Sequence, residues 1–217
     1  MNIEQARFNM IEQQIRPWEV LDASVLSLLS LLRREDFVAP AHRALAFMDL
    51  EVSLPEGQCM LAPKVEARLL QELALHKHER VLEVGAGSGY MAALLAHQSQ
   101  HVITLDKRAV LAKLATDNLR RAGVFNAEVR HADGAGGLPG EAPFDAIVLS
   151  GSVAAVPPAL LEQLKVGGRL VAIEGDEPVM PAVLYTRSSA DGWQRVELFD
   201  TVAPRLEGYP ESSRFSF

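Results

Sequence analysis

Residues 83–89, Glu-Val-Gly-Ala-Gly-Ser-Gly, join one acid to three glycines at alternate positions. Glycines 85, 87 and 89 let a backbone turn sharply and approach a ligand without Cβ clashes. Glu83 stands just before the turn, where a carboxylate meets a cation. The spacing differs from the Gly-x-Gly-x-x-Gly run that lays a pyrophosphate on a helix N-terminus, and it suits a ligand with a cationic amino-acid end. Two further acids follow. Asp106 closes His101-Val-Ile-Thr-Leu-Asp106, near the ~20-residue offset at which an acid meets ribose hydroxyls. Its plainer reading is an N-cap for the next helix. Asp133, in His131-Ala-Asp-Gly134, can accept a hydrogen bond from an adenine amino group, because an ionised carboxylate only accepts.

The elements that would position these residues are legible in outline. Val81–Val84 is an apolar strand, and Met91–Ala96 opens an alanine- and leucine-rich helix. Strands are expected at His101–Asp106, Ala127–Arg130 and Phe144–Ser150, and Leu164–Val171 reads as a turn feeding a fifth. The alternation βαβαβαβαβ from Val81 to about Ile173 predicts an open, mostly parallel α/β sheet that collects its ligand at the strand C-termini. Ala182–Thr186 and Arg195–Val202, joined through Asp191-Gly192, predict an antiparallel hairpin at one edge. Upstream, residues 3–15 place Ile3, Met10, Ile11 and Ile15 on one helical face, and Pro17 ends that helix. A second helix is expected over Asp22–Leu32 with Asp22 as N-cap, and a third from Lys64 to Leu75. Between them, residues 39–63 read as an unusually long irregular connection, a candidate for function. We expect one domain over residues 1–217: residues 1–75 form an N-terminal helical cap and substrate-side loop, and residues 76–217 the binding core and C-terminal strands.

Composition sets limits. The chain has 217 residues, 48% hydrophobic and 23% charged, with a net charge of −7. These are ordinary values for a globular protein, and the acidic balance argues against a broad grip on nucleic acid. A single cysteine, Cys59, excludes an internal disulfide and fits a reducing compartment. Residues 1–14 are too polar for a signal segment, and Val25–Leu32 is too short to span a bilayer. The expectation is a cytoplasmic monomer or weak dimer with no membrane or nucleic-acid partner. His76, His78, His97 and His101 lack metal-binding spacing. Trp18 and Trp193 lack the basic neighbours of a base-stacking groove. Ser150-Gly-Ser152 reads either as a contact to the reacting groups or as a tight turn.

Val81–Tyr90 resembles the first motif of S-adenosylmethionine (SAM)-dependent methyltransferases. Met10-Ile-Glu-Gln-Gln-Ile15, Arg34-Glu-Asp-Phe-Val38, Ala46-Phe-Met-Asp49, Leu54-Pro-Glu-Gly-Gln58 and Pro63 narrow the likeness. With Asp133-Gly134, Pro143–Ile147 and Leu164–Leu170, they resemble the protein-L-isoaspartate O-methyltransferases over roughly residues 7–175. The resemblance implies a Rossmann-like fold with SAM as methyl donor and S-adenosylhomocysteine as product. It implies as acceptor the abnormal carboxylate of L-isoaspartyl residues, in protein repair; a small-molecule acceptor is the alternative. The candidate cofactor set is Glu83, Gly85, Ala86, Gly87, Ser88, Gly89, Asp106, Lys107, Asp133 and Gly134.

One departure matters. After Gly57-Gln58 the family usually shows Thr-x-Ser-x-Pro, whose serine contributes at the acceptor carboxylate. Here the run is Cys59-Met60-Leu61-Ala62-Pro63, with Leu61 at the serine position. Leu61 has no hydrogen-bonding side chain, Cys59 is a poor substitute donor and reads as a small buried residue, and no catalytic residue is assigned. The C-terminus also departs. Val202–Leu206 begins like the family's closing strand, while Glu207–Phe217 does not. Arg205, Tyr209 and Arg214 either face a substrate or belong to a solvated tail.

Overall fold

The computed structural model describes residues 2–211, so Arg214 lies outside the described residues. Helix α1 (Ile3–Met10) starts at Asn2, whose side chain accepts from the Gln5 amide. It widens into a π-turn at Ile11–Ile15 and tightens into a 3-10 turn at Arg16–Trp18. Met10, Ile11 and Ile15 are all buried. The five-residue step from Met10 to Ile15 matches the i→i+5 bonding of a π-turn, which an even 3.6-residue helix would not satisfy. Helix α2 (Ala23–Leu31) begins as expected at Asp22, which accepts from Ser24 and Val25. The connection 39–63 is more ordered than the sequence suggests. It holds a 3-10 helix, Pro40–Phe47, then a two-residue ribbon, β1 (Val52–Ser53) against β2 (Cys59–Met60), closed by a turn at Pro55–Gly57. Helix α3 (Pro63–Leu73) follows, with Pro63 in its first turn, where its missing N–H costs nothing.

The sheet has seven strands. They are β3 (Arg80–Val84), β4 (His101–Asp106), β5 (Ala127–His131), β6 (Phe144–Val153), β7 (Leu164–Glu174), β8 (Met180–Ser189) and β9 (Gly192–Thr201), in spatial order β5-β4-β3-β6-β7-β8-β9. The first five are mutually parallel, and β8 and β9 are antiparallel, which realises the expected edge hairpin. Helices α4 (Tyr90–Gln98) and α5 (Ala109–Arg121) make the first two crossovers. The expected alternation breaks after β5. Residues 132–143 carry no helix, since Gly134, Gly136, Gly137, Pro139, Gly140 and Pro143 deny a helix its interior. Helix α6 (Pro158–Leu161), before β7, is a single turn. One face of the sheet therefore packs against α1–α4 in a large core with Leu69, Leu70, Leu94 and Val148. The other packs against α6 and Ala132, Ala135, Leu138 and Tyr209. No helix among the described residues is long and apolar enough to cross a membrane.

Strand order reverses at β3, which pairs with β4 on one side and β6 on the other. At such a point the loops leaving adjacent strands diverge and leave a crevice. β6 adds a bulge on its β7 side: Val148 pairs with Val171 but Ser152 with Ile173, so Leu149–Gly151 leave that ladder while Leu149 still pairs with Val84 of β3. Residues 203–206 fill in beside them, with the Ser152 amide donating to the Pro204 carbonyl and the Leu206 amide to the Ser152 carbonyl.

Candidate active site

The glycine loop leaves β3 through positive φ at Gly85, Gly87 and Gly89, where L side chains are strained. Their surroundings differ. A Cβ on Gly85 would stand 2.9 Å from Leu206, one on Gly87 would meet only Leu54 at 3.3 Å, and one on Gly89 would press the Ala115 backbone at 3.1 Å. Gly85 and Gly87 face a cleft, whereas Gly89 lets α4 pack closely on α5. Gly134 meets β3 instead, since a Cβ there would lie 2.4 Å from Val84.

Glu83 is fully buried beneath the loop. Ser150, carried inward by the β6 bulge, donates its hydroxyl to Glu83 Oε1 at 2.7 Å. Glu83 Oε2 accepts no hydrogen bond of good geometry, although the hydroxyl of Thr104, its register partner on β4, lies close to the carboxyl and eases its ionisation. Burial pushes this carboxyl up to about 8, so without a cation beside it the group holds its proton at neutral pH. A buried acid oxygen without a well-formed hydrogen bond, set in a glycine cradle, fits the ammonium of an amino-acid ligand.

Asp106 acts through both oxygens: Oδ2 accepts from the Gly87 amide and Oδ1 from the Arg108 amide, each at 2.9 Å. Asp106 is not the N-cap of α5: that position is Arg108, which makes no side-chain cap bond. Asp106 braces the start of α5 and the glycine loop together, while its remaining lone pairs border the cleft. Burial raises its carboxyl above the usual range. Lys107 pairs with Asp133 at 2.8 Å, and this contact holds the Asp133 carboxyl below its ordinary value. Asp133 also accepts from the Ala135 amide. It sits half-exposed beside Gly208, outside the cleft lining that includes Lys107 and Gly134.

The cleft holds about 560 Å³ of empty space, partly open to solvent. Sequence reasoning missed several of its walls: Gln58, Arg108, Leu206 and Glu207. Arg108 bridges Glu56 at 2.9 Å on one side and Glu207 on the other, so one guanidinium ties the substrate-side loop to the C-terminal segment across the cleft. Tyr209 is buried and donates to the Gly134 carbonyl at 3.2 Å. Arg205 pairs with Asp176 at 2.6 Å. This part of the C-terminus is thus a packed wall. No local periodicity announces it, because its partners lie about thirty to a hundred residues away.

A smaller pocket adjoins the cleft and shares Cys59, Gly85, Gly87 and Ser150 with it; Glu83, Ala86 and Ser88 border it on one side and Met60, Leu61 and Glu66 on the other. Leu61 is buried there, and Arg34 donates to its carbonyl at 2.7 Å. Cys59 is half-buried; burial, with Glu51 nearby, pushes its thiol up to about 12, so it is no nucleophile at neutral pH. Trp18 packs edge-on against Phe199, and Trp193 donates to the Leu161 carbonyl, both structural tasks. Among the described residues no group of three or more His, Cys, Asp or Glu could hold a metal ion.

A doubly wound sheet with a glycine loop at its switch point, a buried acid beneath the loop and a second acid ending the next strand defines a class I SAM-dependent methyltransferase fold. The profile of the family described as Protein-L-isoaspartate(D-aspartate) O-methyltransferase (PCMT) matches residues 5–195, and the chain belongs to that family. It is 38% identical to a protein-L-isoaspartate O-methyltransferase of Koribacter versatilis, over 89% of this chain and 87% of the relative. It is 40% identical to one from Methanoculleus marisnigri, over 78% and 77%. A solved structure from Plasmodium falciparum, a putative protein-L-isoaspartate O-methyltransferase in complex with S-adenosyl-L-homocysteine, shares the fold. Its TM-score is 0.80 at 20% identity, covering 95% of this chain and 99% of that one.

Proposed function

We propose that this chain is a cytoplasmic methyltransferase that uses SAM to methylate the carboxylate of L-isoaspartyl residues in proteins or peptides, the first step of repair. The observation that carries the donor half is the Glu83 oxygen, without a well-formed hydrogen bond, at the base of the Gly85–Gly87 cradle. Glu83 receives the ligand's ammonium, the backbone of Gly85–Ser88 lines its amino-acid portion, Asp106 accepts from ribose hydroxyls, and Gly134 borders the adenine, with Asp133 reaching it only by leaving Lys107. Bound SAM supplies a methyl group activated by its sulfonium. The rest falls to the chain. An acceptor carboxylate with an ordinary pKa near 4 is already ionised, so no general base is needed. Catalysis is then positioning: bringing the nucleophile within about 3–3.5 Å of the methyl carbon and excluding water. The Arg108 clasp and the packed 203–209 segment serve that enclosure.

The apolar Leu61 wall favours a second reading, a different acceptor. Purified protein, labelled SAM, an isoaspartyl peptide and its aspartyl twin separate the two. Label in the isoaspartyl peptide alone, released as methanol by base, is the expected result. Label in neither peptide, with SAM still bound, would transfer the argument to another acceptor.

A further inference from the structure

Most polar side chains that line the cleft are already committed to neighbours. Asp106 holds the Gly87 and Arg108 amides, and Lys107 pairs with Asp133. Arg108 takes both Glu56 and Glu207, and Ser150 gives its hydroxyl to Glu83. The Cys59 thiol has Glu51 as its partner and is a weak donor in any case. Gln58 is the exception. It is half-buried in the cleft wall, and its side-chain amide makes no hydrogen bond to any described residue. Its backbone, by contrast, is fixed. The Gln58 main-chain N–H donates to the Pro55 carbonyl at 3.3 Å, and the Gln58 carbonyl accepts from the Leu54 amide at 2.7 Å. Arg108 holds the same turn through Glu56. A braced loop thus offers two free N–H donors to a cleft it shares with Cys59 and Ser150. Water solvates such an amide while the cleft is open, so its freedom costs little until a ligand arrives. Its place also sets it apart from the ligand's amino-acid end. The small pocket around Glu83 shares Cys59, Gly85, Gly87 and Ser150 with the cleft, whereas Gln58 borders the cleft alone.

We propose that Gln58 orients the acceptor: its Nε2–H donates to one oxygen of the isoaspartyl carboxylate while the other oxygen attacks the methyl carbon. The inference rests on the isoaspartyl reading above. In that step a C–O bond forms, the methyl–sulfur bond breaks, and its electron pair stays on sulfur. No proton is transferred, so the group needed is a fixed donor and not a base. A neutral amide suits the task. A free cation would hold the carboxylate as well, but it would add a second positive charge beside the sulfonium and repel it. The cations of this cleft, Lys107 and Arg108, are both tied to acids. With Leu61 where the family carries serine, no side-chain hydroxyl at that position competes for the role.

The test reads peptide binding apart from turnover. The full chain, saturated with S-adenosylhomocysteine, is titrated calorimetrically with an isoaspartyl peptide. Gln58→Met keeps the side-chain length and removes the donors. It is expected to weaken the peptide about 10-fold or more, as loss of a hydrogen bond to a charged group does, and to leave S-adenosylhomocysteine affinity within about twofold. Gln58→Glu sets a carboxylate against that of the acceptor. Peptide binding should fail at pH 8 and return, relative to the wild type, as pH falls towards 5, where a proton shared by the two acids restores a donor. Asp106, Lys107, Arg108 and Glu207 line the cleft in both proteins, so the comparison cancels their titration. Because the Gln58 side chain has no partner to lose, both variants are expected to melt with the wild type. Unchanged peptide affinity in Gln58→Met overturns the role of Gln58. A fall matched by lost S-adenosylhomocysteine affinity overturns it too, by placing Gln58 on the cofactor. So does a loss in Gln58→Glu that is the same at pH 5 and pH 8. Failure of the wild type to bind the isoaspartyl peptide overturns instead the reading beneath it.

Discussion

At the scale of single residues, the site is governed by acids held where water is scarce. Glu83 is proton-bearing in the empty protein and must ionise to meet an ammonium. Binding of S-adenosylhomocysteine is therefore expected to release a proton below about pH 8, and its affinity to rise from pH 6 to pH 8. Calorimetry in two buffers measures the release, and Glu83→Gln should abolish it while weakening binding by about 1.5–3 kcal/mol. Asp106→Ala is expected to cost about 1–3 kcal/mol of cofactor affinity and to lower the melting temperature as well. The same two oxygens brace the Gly87 and Arg108 amides, so a loss of only one property would refute this dual role. Leu61→Ser would place a hydroxyl beside Glu66. It should raise kcat on an isoaspartyl peptide more than it changes KM, as an interaction made mainly in the transition state does.

At the scale of elements, glycines separate packing from binding. Gly134→Ala drives a Cβ into Val84 and should cost about 1–3 kcal/mol of stability, read by denaturant unfolding. Gly87→Val has room in the loop apart from Leu54, although its φ of +52° strains any L residue. It is expected to abolish SAM binding while unfolding stays cooperative. The clasp acts differently, because Arg108 joins the 55–57 turn to the C-terminal segment through two ion pairs. Arg108→Ala should speed S-adenosylhomocysteine release several-fold in stopped-flow displacement, with the difference shrinking at high salt as exposed ion pairs are screened.

For the whole molecule, the two most strongly raised acids, with Asp106 acting in the same direction, set a pH dependence of opposite sign to the surface carboxylates. Glu66 and Glu83 carry folded values of about 7 and 8, above an ordinary 4.5, so the folded state binds more protons than the unfolded chain between those limits. The stability of the ligand-free protein should be fullest near pH 5 and decline as pH rises through 7–8. Asp22, lowered by its bond from Ser24, and Asp133, lowered by Lys107, act the other way and withdraw their contribution only as pH falls below about 4. A melting series from pH 4 to 9 tests this, and a flat curve between 5 and 8 would contradict the burial of the two acids.

Much of this was legible in the chain read alone, because it is written locally. A β-branched run before Gly-x-Gly-x-Gly, an acid closing the next strand and a polar cap before a leucine run are short-range signals, and they placed β3, β4, α2 and the glycine cradle within a residue or two. The missing helix between β5 and β6 was misjudged by following the α/β alternation past a glycine- and proline-rich stretch that contradicted it. What the linear order does not contain is proximity. That Glu66 shares a cavity with Glu83, that Arg34 reaches both Glu66 and Leu61, and that Leu206 and Glu207 close the cleft opposite Gly85 follow from a sheet whose order reverses at β3 and a bulge that turns Ser150 inward. The energies of those groups depend on which neighbours exclude water from them. Burial and charge pairing arise between residues distant in sequence, so only the folded chain decides which carboxylates keep their protons.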